Sequence, residues 1–96
     1  MTHLSRHGRT AREFWQTYRP RALEELGSPE QQEEFFVALD LRVTEQIGQT
    51  ANELLQELPM EKRGPARRAV KSQAQELVYA DLVWLEKEPG TEHREM

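Results

Sequence analysis

The chain has 96 residues, 36% of them hydrophobic and 31% charged, with a net charge of −4 and no cysteine. That length suits one domain, and without a thiol there is no disulfide, thiolate metal site or cysteine nucleophile. No apolar stretch approaches the roughly 20 residues of a membrane span, and the start Met1–His7 lacks a signal-peptide hydrophobic region, so the expectation is a cytoplasmic protein that meets no membrane.

Charge is segmental. Residues 1–23 carry five arginines against Glu13, residues 24–61 ten acids against Arg42, and residues 62–71 five bases and no acid. The acidic total opposes bulk attraction to nucleic acid, while the two basic stretches keep a local footprint open.

Residues 1–9 lack periodicity and read as a flexible arm. Thr10 with Glu13 has the spacing of a capping box, and two short helices are expected over 11–26, divided at Pro20 and closed by Gly27 at a C′ position. Ser28-Pro29-Glu30-Gln31 then provides an N-cap, a proline at N1, an acid near the positive helix end and Gln at N3. Apolar residues follow at three- or four-residue steps from Phe36 through Leu39, Val43, Ile47, Ala51 and Leu54 to Leu58, which predicts one long helix over 29–58. Gly48 inside it marks a close crossing or a bend. The connection is expected at 59–65, with Gly64-Pro65 as its second breaker. A last helix is expected over 65–87, carrying Ala66, Val70, Ala74, Leu77, Val78, Leu82 and Leu85, and then a polar tail over 88–96. No segment alternates like a strand.

The expected fold is all-α: a small helical bundle built on a long antiparallel hairpin, with a short helical N-terminal segment across it. Phe14, Tyr18, Phe36, Leu39, Val43, Leu54, Leu77, Val78 and Leu82 are its expected core.

Nothing in the residues points to catalysis. There is no glycine-rich phosphate loop or nucleophile elbow. The pairs Glu30/Glu33/Glu34 and Glu53/Glu57 read as solvated faces. His3 and His7 lack the further ligands zinc requires and read as a solvated pair. No cofactor, metal or small-molecule substrate is expected. Asp81, beside the apolar stripe, is a candidate for a structural ion pair with Arg12 or Arg19. Glu53 and Glu57 are placed to face Arg67, Arg68 or Lys71 across the hairpin.

The order of motifs resembles a known family. Phe14-Trp15-Gln16-Thr17-Tyr18-Arg19-Pro20, then Leu23-Glu24-Glu25-Leu26 and Ser28-Pro29-Glu30, and later the run from Ala74 to Trp84, are similar to the TnpV-like small helical proteins of transposons and other mobile elements. The resemblance covers residues 12–85. It implies association with mobile DNA and assigns no catalytic residue.

The leading expectation is a non-enzymatic interaction or accessory protein. The long helices offer about 45 Å and about 35 Å of length, whereas residues 11–26 cover only about 24 Å. A homodimer or a heterologous protein partner is expected on the remainder, with Phe35, Val83 and Trp84 as interface anchors. The alternative is nucleic-acid binding through Arg6, Arg9, Arg12, Lys62, Arg63, Arg67, Arg68 and Lys71. A further alternative is inhibition of a host protein by the acidic face from Glu24 to Glu61.

Overall fold

A computed structural model describes residues 3–96 and has four helices among them: α1 (Arg6–Tyr18), α2 (Pro20–Glu25), α3 (Pro29–Gln56) and α4 (Met60–Leu82). The class is all-α. Ser28 caps α3 with the expected reciprocal box, its hydroxyl accepting from the Gln31 N–H while the Gln31 side chain accepts from the Ser28 N–H. Gly27 has φ 113°, the left-handed conformation a helix C′ position calls for.

Three boundaries differ from the sequence expectation. The arm is largely helix: α1 begins at Arg6, Ser5 is its N-cap, and Leu4 is buried. Thr10 therefore lies mid-helix, its hydroxyl turned back onto the Arg6 carbonyl at 2.8 Å. Residues 1 and 2 of the expected arm fall outside the described residues.

The hairpin connection is only residues 57–59, and α4 runs through Gly64-Pro65. Proline normally pushes its predecessor out of helical geometry by a clash involving that residue's Cβ, and Gly64 has none. Arg63 reinforces the turn. Its Nε donates to the Leu58 carbonyl at 3.0 Å and its NH2 to the Gln56 carbonyl at 3.3 Å, so a cation meets the unpaired carbonyls at the negative end of α3. So short a connection makes α3 and α4 antiparallel.

The third difference is at the C-terminus. α4 stops at Leu82, and residues 83–96 fold back over the α1–α2 junction. The Glu88 N–H donates to the Tyr18 carbonyl at 2.9 Å, the Thr91 hydroxyl reaches the same carbonyl at 3.2 Å, and the Tyr18 hydroxyl donates to the Arg94 carbonyl at 2.6 Å. The Glu88 carboxylate accepts the N–H groups of Arg21 (3.0 Å) and Ala22 (2.9 Å) in the first turn of α2. Its pKa is held below 4.5, chiefly by the Ala22 hydrogen bond and then by that of Arg21 and the charges of Arg19 and Arg21, against the opposing effect of burial. The polar tail is thus a strap.

α1 lies along α3, and together with the C-terminal half of α4 they enclose the core. Phe14, Tyr18, Phe36, Val43 and Val78 are buried, while Leu39, Leu54 and Leu82 pack at its edge. Leu77, expected inside, is 52% exposed, because α1 draws Ala74, Val78 and Tyr79 inward and leaves Leu77 on the flank with Arg42 and Gln46. Ala11, Trp15, Ile47 and Val83 complete the interior.

The molecule measures 49 × 33 × 16 Å with a radius of gyration of 15.8 Å, against about 12–13 Å for a compact chain of this length. Its accessible surface is 7001 Å², where a compact 11.3 kDa monomer exposes about 5,700 Å². The elongation arises because α1, about 20 Å long, spans only part of α3, about 42 Å long.

Two helical glycines separate cleanly. A Cβ on Gly8 would lie 2.8 Å from the Asp40 Cβ, whereas one on Gly48 would meet nothing within 4 Å, so Gly48 marks no close crossing. Gly8→Ala is expected to lower the urea midpoint, because overpacking of about 1–3 kcal/mol outweighs the gain in helix propensity of about 1 kcal/mol. Gly48→Ala is expected to raise it, with a gain in stability of about 0.5–1 kcal/mol. Stabilisation by both substitutions would show that α1 is not seated on Asp40.

Candidate functional site

The N-terminus of α1 meets the middle of α3 at one carboxylate. Asp40, 8% exposed, accepts the Ser5 N–H at 2.5 Å and, with its other oxygen, the Ser5 hydroxyl. The same hydroxyl accepts the His7 N–H at 3.3 Å, which makes Ser5 both cap and link. Two residues on from Ser5, His7 Nδ1 pairs with the Tyr79 hydroxyl of α4 at 2.6 Å, their rings edge to face with centroids 5.5 Å apart. Burial lowers the His7 pKa below 6.5. The Asp40 charge opposes this, and the charges of Arg6 and Lys71 add to it. Burial likewise raises the Tyr79 pKa above 10.0, the largest influence on it. The Ser5 hydroxyl is thus engaged by Asp40 and the His7 ring by Tyr79.

Beyond His7, the distal halves of α3 and α4 bound an open groove of about 470 Å³. Its α3 wall is Thr44, Ile47, Gly48, Ala51, Asn52 and Leu55, and its α4 wall is Arg67 and Lys71, with His7 closing the inner end. From Thr44 to Leu55 the trough runs about 16 Å, or three turns of helix. The floor is apolar and the rim is cationic. None of the described residues lining it is acidic.

The expected interface anchors divide. Val83 is 0% exposed and belongs to the core, since the early end of α4 turns it inward. Phe35 is half-buried, tilted against Trp15 and edge to face with Phe36 at 5.0 and 5.1 Å between centroids. Trp84 alone presents surface. It is 46% exposed, with its ring against Phe14 and Tyr79, and it walls a shallow recess with Arg6, Thr10 and Gln75.

The basic residues also divide. Arg67 and Lys71 form the groove rim, Arg63 is committed to the α3 carbonyls, and Arg6 approaches His7 from α1. Arg9, Arg12, Lys62 and Arg68 are exposed. Arg19 is half-buried and is engaged elsewhere than at Asp81. Its guanidinium lies 4.6 Å from the Trp15 ring centroid and donates to the Glu86 carbonyl at 2.7 Å. Asp81 is exposed beside Arg42 and Gln46. The acid that matters to α1 is Asp40, and its signal was an acid at a three/four-spaced core position, between Phe36 and Val43.

Among the described residues, no group of three or more His, Asp or Glu is disposed to hold a metal ion, and no helix is long and apolar enough to cross a membrane. Comparison with known proteins returns no matching family model, no matching curated protein and no matching solved structure.

His7 links this site to pH. Because its folded-state pKa lies below the unfolded value of 6.5, the fold favours the neutral ring. Its contribution is fully present above pH 6.5 and is lost as pH falls through the folded value. The urea midpoint is expected to decline between about pH 7.5 and about pH 5.5, and to stay flat over that range in His7→Gln. Glu88, with its pKa below 4.5, loses its contribution only at lower pH. An equal decline in both proteins would place the titration elsewhere.

Proposed function

We propose that this chain is a non-enzymatic interaction protein that binds a helix of another protein in the groove between the distal halves of α3 and α4. The observation that carries this reading is the incomplete cover of the hairpin. α1 ends its run at Asp40 and His7, and the apolar floor from Ile47 to Leu55 continues past it. A trough about three turns long between two helices takes a third helix by ordinary ridge-and-groove packing. The resemblance to TnpV-like proteins supports a place as an accessory protein of a mobile element.

A second reading, nucleic-acid binding, draws on the approach of Arg6 and Lys71 to His7. It is the weaker one, because the groove floor is apolar and only Arg67 and Lys71 stand on its α4 rim, a lining that gives a phosphate backbone few cations and no use for the floor.

Gly48→Gln tests the reading without endangering the fold, since the new side chain enters open space and improves helix propensity. A displayed library of helical peptides selected on the full chain is expected to yield binders that lose about tenfold or more in affinity for Gly48→Gln, at least 1.4 kcal/mol. Binders indifferent to that substitution, or a gel shift of mixed DNA that weakens steeply with salt, would overturn it.

A further inference from the structure

We infer that the helix this groove accepts is an acidic amphipathic one, with carboxylates flanking its apolar face. The inference rests on the docking reading above and adds the chemistry of the partner. Arg67 and Lys71 are four residues apart on α4, so they stand one above the other on the same side of the trough. No described residue of the lining carries a carboxylate to neutralise them. Glu53 and Glu57, the acids expected to do so, lie on α3 positions turned about 100° or more from the Gly48–Leu55 wall at 100° per residue. The unbalanced charge therefore faces whatever sits on Ile47, Ala51 and Leu55. A helix with apolar residues at i, i+4 and i+7 fills the floor, and Asp or Glu beside them reaches the α4 rim.

The same arrangement disfavours a second copy of this chain as the occupant. A two-fold dimer through the groove would bring Arg67 and Lys71 of both copies towards a common axis, without lining carboxylates to pair with them. Like charges so placed oppose association. An acidic helix from a different protein meets the floor and the rim together.

Three labelled peptides of about 14 residues test this on the full chain. They share one apolar face and carry Glu, Gln or Lys on its flanks, and binding is read by fluorescence anisotropy at low and at high salt. The Glu peptide is expected to bind about tenfold or more tighter than the Gln peptide, with the margin shrinking in high salt, and the Lys peptide to be weakest. Arg67→Glu with Lys71→Glu, both exposed positions, is expected to reverse the order. Gly48→Gln is expected to abolish binding of all three. Equal affinity of the Glu and Gln peptides would overturn the acidic-partner inference and leave the groove as a docking site. Binding by none of them would remove the docking reading itself. A two-chain mass by light scattering that reverts to one chain in Gly48→Gln would make a second copy the occupant and overturn the inference.

Discussion

A carboxylate placed on the core face of a long helix has to find hydrogen-bond donors, and the way Asp40 finds them organises the rest of this molecule. Burying the group unpaired would cost several kcal/mol or more. The start of α1 brings what it needs: the Ser5 N–H, the Ser5 hydroxyl and the positive end of the helix dipole. Such close seating requires a residue without a side chain one turn in, and Gly8 is that residue. Once α1 is fixed over Asp40, its aromatic residues fall where the core needs them. Trp15 reaches Phe35 and Phe36, and Phe14 reaches Trp84. The beginning of α1 also decides where cover of the hairpin ends, so the clamp and the groove have one origin.

The opposite end of α1 is held by different means. Tyr18 gives its carbonyl to Glu88 and Thr91 and its hydroxyl to the Arg94 carbonyl, while Lys87 lies 4.0 Å above its ring centroid. The Glu88 carboxylate meanwhile supplies the side-chain cap that α2 lacks from its own N-cap, Arg19. A short α2 would be marginal alone, and the returning strap gives its first turn a partner. Local helix signals and long-range contacts therefore share the task of ordering the N-terminal third. The hairpin needs no such strap, since its turn is closed by Arg63 from within.

The elements that announce themselves in sequence are those governed by local chemistry. The box at Ser28 and Gln31, the three/four spacing along α3, the break at Pro20 and the positive φ of Gly27 are consequences of neighbouring residues, and all appear where expected. What escaped the sequence depends on residues far apart. Ser5 outcompetes Thr10 as a cap because Asp40, thirty-five positions away, holds it. Gly64-Pro65 reads as a breaker, yet the apolar stripe of α4 packs on α3 through it. The tail over 88–96 has no periodicity, and its order comes from carbonyls of α1 that no local pattern reveals. Of the site residues, Arg67 and Lys71 were legible as part of a basic stretch, but not their separation from Arg63. Val83 was misplaced because α4 ends five residues before the expected stop, which turns it into the core.

The two helical glycines show how this chain divides its stability from its surface. A glycine inside a helix costs about 1 kcal/mol relative to alanine. At Gly8 that cost is returned within the chain, because the missing Cβ admits Asp40. At Gly48 no described atom beyond its chain neighbours and the adjoining backbone of its own helix comes within 4 Å of where a Cβ would be. The missing side chain there serves no internal contact, and its consequence is the depth of the groove between Ile47 and Leu55. Larger residues at such positions would have stabilised α3 and filled the trough. The combination of an uncovered apolar floor, a glycine that benefits no neighbour and a cationic rim left unneutralised is coherent for a surface completed from outside the chain. The unfavourable terms then find their balance in the complex rather than in the isolated fold.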